Sequence, residues 1–342
     1  MKASTPLIAN AFSALFLALG CASDTGVSDP STNGDATPPS LASLRYSAWS
    51  EPVNLGTTIN STSTENTPEI SKDGLSLYFG SPRFGGSGST DLWVSHRACT
   101  DTDDIRCGWQ KPANLGGTVN SNELEAGPDL TRDGHRMFYS SARPGGEGSN
   151  DLYVSQRACT DADDPACAWG APVSLGSALN TGEFEGGPSA RGSEFYFNRG
   201  NVPGGGTSGG TPADIYVSHI ENDENDVFGT ATRVDNLNSP RVDQRPSIRF
   251  DGHEIFLASD RDLGFGSHDI WVSSRQGNDE PWTMPVNLGP LVNTELEETH
   301  PAISADGTAL FFARRRSPTE GCGGPLQPPC DLDLYFTTRT VE

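Results

Sequence analysis

The chain has 342 residues, of which 34% are hydrophobic and 20% charged; its 39 glycines and 25 prolines mark a turn-rich protein that is poor in helix. With 45 acidic residues against 23 basic ones, the formal charge is −22. A surface of that sign repels phosphate backbones, which excludes nucleic acid as a partner and suits a solvated envelope protein or one that binds cations.

Residues 1–20 read as a signal peptide. Lys2 is the only charge, residues 6–20 are largely apolar, and the stretch is too short to span a bilayer. Ala18-Leu19-Gly20-Cys21 resembles a bacterial lipobox. That resemblance implies a lipidated Cys21 as the mature N-terminus and anchoring to the outer membrane, periplasmic or surface-facing, with the lipid as the only membrane contact. Residues 21–44 are mostly Ser, Thr, Asp, Pro and Gly, too poor in large apolar side chains to offset ordering entropy, and are expected to form a flexible tether.

From residue 45 to 342 the chain repeats itself. Trp49, Trp109, Trp169, Phe228 and Trp282 each open a phrase like Trp49-Ser-Glu-Pro-Val-Asn-Leu-Gly56. An Asn-Ser or Asn-Thr step follows at Asn60, Asn120, Asn180, Asn238 and Asn293. Next comes an acid three residues before a proline: Glu65, Glu125, Glu185, Asp243 and Glu298. An Asp-Gly pair then separates two strand-like runs, as at Asp73-Gly74, except that the third copy has Arg191-Gly192. Each copy closes on an Asp-aliphatic-aromatic run such as Asp91-Leu92-Trp93.

Four short strand-like segments per copy and five copies predict an all-β, five-bladed propeller of four-stranded blades. In the first copy the segments fall at 68–71, 76–80, 91–97 and 109–115. Asp-Gly between two such runs predicts type I′ hairpins. Residues 49–55 precede the first full copy and the last copy stops after residue 338, so the N-terminal strand is expected to complete the last blade. The phrase Ser71-Lys72-Asp73-Gly74…Leu77-Tyr78-Phe79…Ser81-Pro82-Arg83…Asp91-Leu92-Trp93-Val94 resembles the WD40-like propeller repeat of TolB-type periplasmic proteins. The resemblance covers residues 49–338 and implies the fold. It does not carry a Tol–Pal role, because TolB-type proteins have six blades and an added α/β domain that this sequence lacks.

Six cysteines remain beyond Cys21, and three pairs share one spacing: Cys99 and Cys107, Cys159 and Cys167, Cys322 and Cys330. Six cysteines allow 15 connectivities; three local loops of equal size make local disulfides the simplest, and disulfides fit an oxidising compartment.

Candidate site residues follow from the repetition. The five acids can form a carboxylate ring at the channel mouth that holds Ca2+ or a cationic group. Equally, each can pair with the recurring arginine of its blade (Arg83, Arg143, Arg199, Arg261 or Arg314) and pin the blades. Asp101, Asp103 and Asp104, with Asp161, Asp163 and Asp164, cluster carboxylates inside two cysteine loops, a pattern suited to Ca2+ but also to a solvated acidic loop; no other cofactor is implied. The glycine-rich loops, including residues 199–213, gather on one face with the acids and are the favoured binding surface. The six histidines (His96, His135, His219, His253, His268 and His300) are expected on the surface. No nucleophile elbow, zinc-protease motif or phosphate loop is present. The expectation is therefore a monomeric, non-catalytic scaffold that binds an envelope protein or glycan. The alternative is a glycoside hydrolase-like enzyme with carboxylates in the central channel, since five-bladed propellers also host glycosidases. An asymmetric acid cluster holding one strongly shifted carboxyl would favour that alternative.

Overall fold

The computed structural model describes residues 46–101, 104, 107–161, 164–200, 212–223, 225–318 and 331–342. The expected signal peptide, Cys21, the tether, Asp103, Asp163, Cys322 and Cys330 lie outside these residues.

The repeats form five antiparallel blades. Blade one runs β2 (Asn66–Ile70), β3 (Ser76–Ser81), β4 (Asp91–His96) and β5 (Ala113–Asn114). Blade two runs β6 (Glu125–Leu130), β7 (Arg136–Ser141), β8 (Asp151–Gln156) and β9 (Val173–Ser174). In blade three, β10 (Glu185–Arg191), β11 (Glu194–Arg199) and β12 (Asp214–Asn222) carry two outer pieces, β13 (Val227–Phe228) and β14 (Thr232–Arg233). Blade four comprises β15 (Asp243–Ile248), β16 (Glu254–Ser259), β17 (Asp269–Ser274) and β18 (Val286–Asn287). Blade five comprises β19 (Glu298–Ile303), β20 (Ala309–Arg315) and β21 (Leu332–Thr338), and β1 (Val53–Asn54) completes it. The first strands β2, β6, β10, β15 and β19 touch one another in turn and surround the axis.

Ring closure is as expected from the sequence. Val53 pairs with Phe336 and Asn54 with Tyr335, and Ser50 and Ser47 extend the seam by donating to the carbonyls of Thr338 (2.7 Å) and Thr340 (2.9 Å).

The outer strands are shorter than the sequence suggested: β5 keeps two of residues 109–115. Pro52, Pro112, Pro172 and Pro285 directly precede β1, β5, β9 and β18 and cannot donate to a ladder, so pairing starts only after them. The recurring asparagine replaces the missing length. Asn120 donates to the Leu92 carbonyl (3.0 Å) and accepts from the Leu92 amide (2.9 Å), and Asn60, Asn180, Asn238 and Asn293 do the same to Leu334, Leu152, Ile215 and Ile270.

The type I′ expectation is corrected. At Asp73-Gly74 only the glycine has positive φ (73°), and the Gly74 amide donates to the Ser71 carbonyl (2.8 Å). The Asp73 carboxylate holds the turn by accepting from the Ser71 hydroxyl (2.6 Å) and the Leu75 amide (2.9 Å), the local bonding for which Asp is favoured in turns. In the third copy Arg191 is not a turn residue. It pairs with Glu194 across Gly192-Ser193, a two-residue hairpin with glycine first at φ 60°. The shorter turn frees the Arg191 side chain for another task.

Hydrophobic clusters lie between blades. Tyr78 and Leu92 of blade one pack with Leu130, Met137 and Trp169 of blade two, and Tyr78 meets the Trp169 ring edge-on at 6.3 Å. Glycine-rich loops add a second tie. Ser89, Ser149 and Ser267 donate to the carbonyls of Glu123, Glu183 and Leu296 in the following blade. A Cβ on Gly266 would lie 1.7 Å from the Leu296 carbonyl oxygen, so only glycine allows this approach.

Disulfides join Cys99 to Cys107 and Cys159 to Cys167. Closing each eight-residue separation removes about 2.5 kcal/mol of denatured-state entropy. Cys99→Ser/Cys107→Ser is therefore expected to lower unfolding free energy by about 2–3 kcal/mol in denaturant titration; an unchanged midpoint would show that the loop is held without its bridge.

Candidate active site in the central channel

The five recurring acids open the inner strands and are fully buried. Glu65, Glu125, Glu185 and Glu298 bond Arg83 (2.8 Å), Arg143 (3.2 Å), Arg199 (2.9 Å) and Arg314 (2.8 Å), and Asp243 bonds Arg261. Each acid also accepts the backbone amide four residues earlier, as Glu65 does from Ser61 (2.8 Å). The arginines reach further to a carbonyl of the preceding loop and stack on an aromatic ring of their own third strand, Arg199 on Tyr216 at 4.7 Å. The geometry is that of a buried ion-pair ring that ties loop, inner strand and third strand within each blade.

The acidic cysteine loops are arranged around their turns. The Asp104 and Asp164 carbonyls accept the amides of Cys107 and Cys167, and the Asp164 carboxylate accepts from Ala166 (2.9 Å). The metal-capable groups there, among the described residues, combine one aspartate with two disulfide-bonded cysteines, which offer no thiolate.

The axis itself presents different chemistry. Every inner strand carries a bulge just before its proline, where register shifts between Asn66 and Glu69 and at the four equivalent steps. The residue before each proline takes positive φ: Thr67 (47°), Gly127 (66°), Gly187 (57°), Arg245 (54°) and His300 (54°). That conformation is strained for Thr, Arg and His, more so ahead of proline, and such strain concentrates at functional sites. The bulge brings the residues on both sides of the proline to a solvent-connected cavity of about 30 Å³, room for about two waters.

After the proline the five positions hold Glu69, Asp129, Ser189, Ser247 and Ala302. In four blades this side chain accepts an amide from the next blade: Leu130 to Glu69 (3.4 Å), Ala190 to Asp129 (3.0 Å), Ile248 to Ser189 (3.1 Å) and Ile303 to Ser247 (3.0 Å). A neutral hydroxyl performs this service in two blades. Blades one and two spend carboxyls on it, and these two groups are buried side by side with Arg191 between them, 3.1 Å from Asp129 and 3.9 Å from Glu69. Burial, reinforced by the Asp129 charge, pushes the Glu69 carboxyl up to about 8 against the pull of Arg191 and the Leu130 amide. Asp129 is raised as well, again first by burial. Glu69 is therefore a neutral acid at pH 7 beside a second carboxyl clamped by a cation.

Because the folded-state pKa of Glu69 is raised, its contribution to stability is complete below the ordinary 4.5 and is lost as pH rises through about 8. The melting temperature of the wild type is expected to fall relative to Glu69→Gln between pH 5 and 8. Parallel curves in scanning calorimetry would refute the neutral acid.

Sequence comparison of the copies did not find Glu69, Asp129, Arg191, Arg245 or His300. Except for Arg191, the signal was present at the two positions flanking each inner-strand proline, which hold Thr67, Gly127, Gly187, Arg245 and His300 before it and Glu69, Asp129, Ser189, Ser247 and Ala302 after it. The surface placement of the histidines is also corrected: His268 is buried, and His300 lines the channel with Nδ1 shielded and unpartnered. Burial, with Arg245 and His268 nearby, holds the His300 imidazole well below its ordinary 6.5.

No protein-family model matches the sequence, and no curated protein matches it. Solved structures do resemble the fold. A thermostable family-43 glycoside hydrolase matches with TM-score 0.51 and 10% identity, over 83% of this chain and 91% of that one. An α-L-arabinofuranosidase from Lactobacillus brevis matches with TM-score 0.50 and 14% identity, over 82% and 93%. TolB from Acinetobacter baumannii matches with TM-score 0.44 and 13% identity, over 83% and 56%. At these identities the likeness is one of fold. The expectation of a non-catalytic scaffold, and of no enzyme, is nevertheless overturned: the similar propellers include glycoside hydrolases, and the channel holds the asymmetric acid cluster that the sequence reading required for the hydrolase alternative.

Proposed function

We propose that this protein is an exported glycan-cleaving hydrolase whose site is the central channel. One observation carries the reading: Glu69 and Asp129 are buried side by side at the axis with Arg191 between them, 3.1 Å from Asp129 and 3.9 Å from Glu69, and burial raises the Glu69 carboxyl so that it holds its proton, the division of roles that glycoside hydrolysis needs. In the reaction the glycosidic C–O bond breaks, the Glu69 proton passes to the leaving oxygen, and water supplies the hydroxyl of the new anomeric centre while its other proton returns to the Glu69 carboxylate. Asp129, held by Arg191, provides negative charge for the cationic sugar in the transition state. The propeller suits this task because its rigid inner strands fix both carboxyls, leaving little to reorganise.

The two disulfides support residence in an oxidising compartment, and the lipobox resemblance at Cys21 supports lipid anchoring at the outer membrane. Incubation of the purified propeller with arabinan, xylan and pectin fragments, followed by chromatography of released sugars, tests the reading. Product formation that disappears in Glu69→Gln is expected; product formation indifferent to Glu69 would refute it.

A further inference from the structure

Arg245 is difficult to explain as scaffold. Its four equivalents are Thr67, Gly127, Gly187 and His300, so no blade geometry demands a cation. It adopts positive φ ahead of a proline, a costly conformation for a long side chain. From blade four its side chain crosses blade three to reach blade two. A Cβ on Gly187 would lie 2.9 Å from Arg245 Cδ, and one on Gly127 would lie 3.0 Å from Nη1. Both glycines thus leave the space that the arginine fills. At the end of this path the guanidinium lies over the Phe184 ring (5.9 Å) and, among the described residues, meets no acid: Nε and Nη1 are shielded from solvent and have no hydrogen-bond partner. The recurring arginines of the ring, by contrast, all have carboxylates. Burial with no compensating carboxylate lowers the Arg245 pKa to about 10, still charged at pH 7. In a chain with 45 acidic residues, an unpaired buried cation costs stability and needs a counter-ion from outside.

We propose that Arg245 is a carboxylate-recognition residue, and that the glycan accepted by the channel is acidic, with a uronate carboxylate entering the cavity to pair with the guanidinium. This rests on the hydrolase reading for its sugar and on Arg245 for its charge. A guanidinium presents parallel N–H donors matched to the two oxygens of a carboxylate, and the cavity admits a group of about that size. His300, neutral, lines the same cavity, and its Nδ1 has no hydrogen-bond partner, leaving it able to bond a carboxylate oxygen or a sugar hydroxyl. Glu69, uncharged, does not repel the incoming anion, and the Asp129 charge on the same cavity is countered by Arg191 at 3.1 Å.

The test is calorimetric titration of the purified propeller with trigalacturonate and with a hyaluronan tetrasaccharide, each against its fully methyl-esterified form. Binding of at least one acidic oligosaccharide is expected, about 10- to 100-fold tighter than its ester, the worth of a charged hydrogen bond. Arg245→Met should erase that preference and raise the melting temperature, because it removes an unpaired buried charge. Equal affinity for acid and ester, a preference retained in Arg245→Met, or a lower melting temperature in that variant would overturn the assignment. So would displacement of the oligosaccharide by equimolar inorganic phosphate, which would mark a general anion site. The titration needs no turnover: acid-selective binding without hydrolysis would sink the hydrolase reading alone.

Discussion

Glu69→Gln is expected to reduce glycan hydrolysis by about 100- to 10,000-fold, the range that general acid catalysis supplies. The fold should survive. Glutamine keeps a side-chain oxygen for the Leu130 amide, which Glu69 accepts at 3.4 Å, and Glu69 is itself neutral near pH 7. What glutamine lacks is a proton to give. The pH profile separates this role from a structural one. Activity of the wild type should decline above about 8 as Glu69 ionises, and the residual activity of the variant should show no such limb. A variant that unfolds, or one that hydrolyses normally, would return Glu69 to the rank of its counterparts Ser189 and Ser247, which do no more than hold an amide of the next blade.

The second large effect is on stability. Glu298→Ala is expected to destabilise the protein by about 3–5 kcal/mol, because one member of a buried pair is removed and the other is left charged. Arg314 Nε lies 2.8 Å from Glu298, and the Thr294 amide (2.7 Å) and hydroxyl (2.6 Å) lose the same acceptor. The melting temperature should fall by roughly 10 °C. Arg241→Ala is the control, since its pair with Asp262 is 56% and 84% exposed and surface pairs contribute about 0–1 kcal/mol. Equal losses in the two variants would mean that the acid ring is not what ties loop to blade.

Repetition made the fold legible and hid the site. Five copies of the Asn, acid and Asp-aromatic positions, with Trp and Asp-Gly in four of the five, place four strands per blade, and the phase of Trp49 against Asp333 places the closing strand. Turn chemistry was harder to read, because Asp73 serves its turn through its carboxylate rather than by adopting positive φ, and the two-residue deletion at Arg191-Gly192 imitates an Asp-Gly turn. The acids that recur five times do so because each blade needs one ion pair. Glu69, Asp129 and Arg245 occur once each, so a search for common positions passes over them. Their environment is set by neighbouring blades, as when Glu69 meets Asp129 and Arg191 at the axis, and one repeat read alone contains no trace of it.

The seam between β1 and β21 bears on how the chain folds while it is being made. A chain that emerges from its N-terminus presents Val53 and Asn54 long before Tyr335 and Phe336, their partners, exist on the far side. Until then the blades form an open arc with an unpaired strand at each end, and such edges recruit other chains. The last-formed seam therefore sets the period of vulnerability, which grows with synthesis time rather than with the folding rate of any blade. Having only two ladder residues at the waiting end keeps that hazard small.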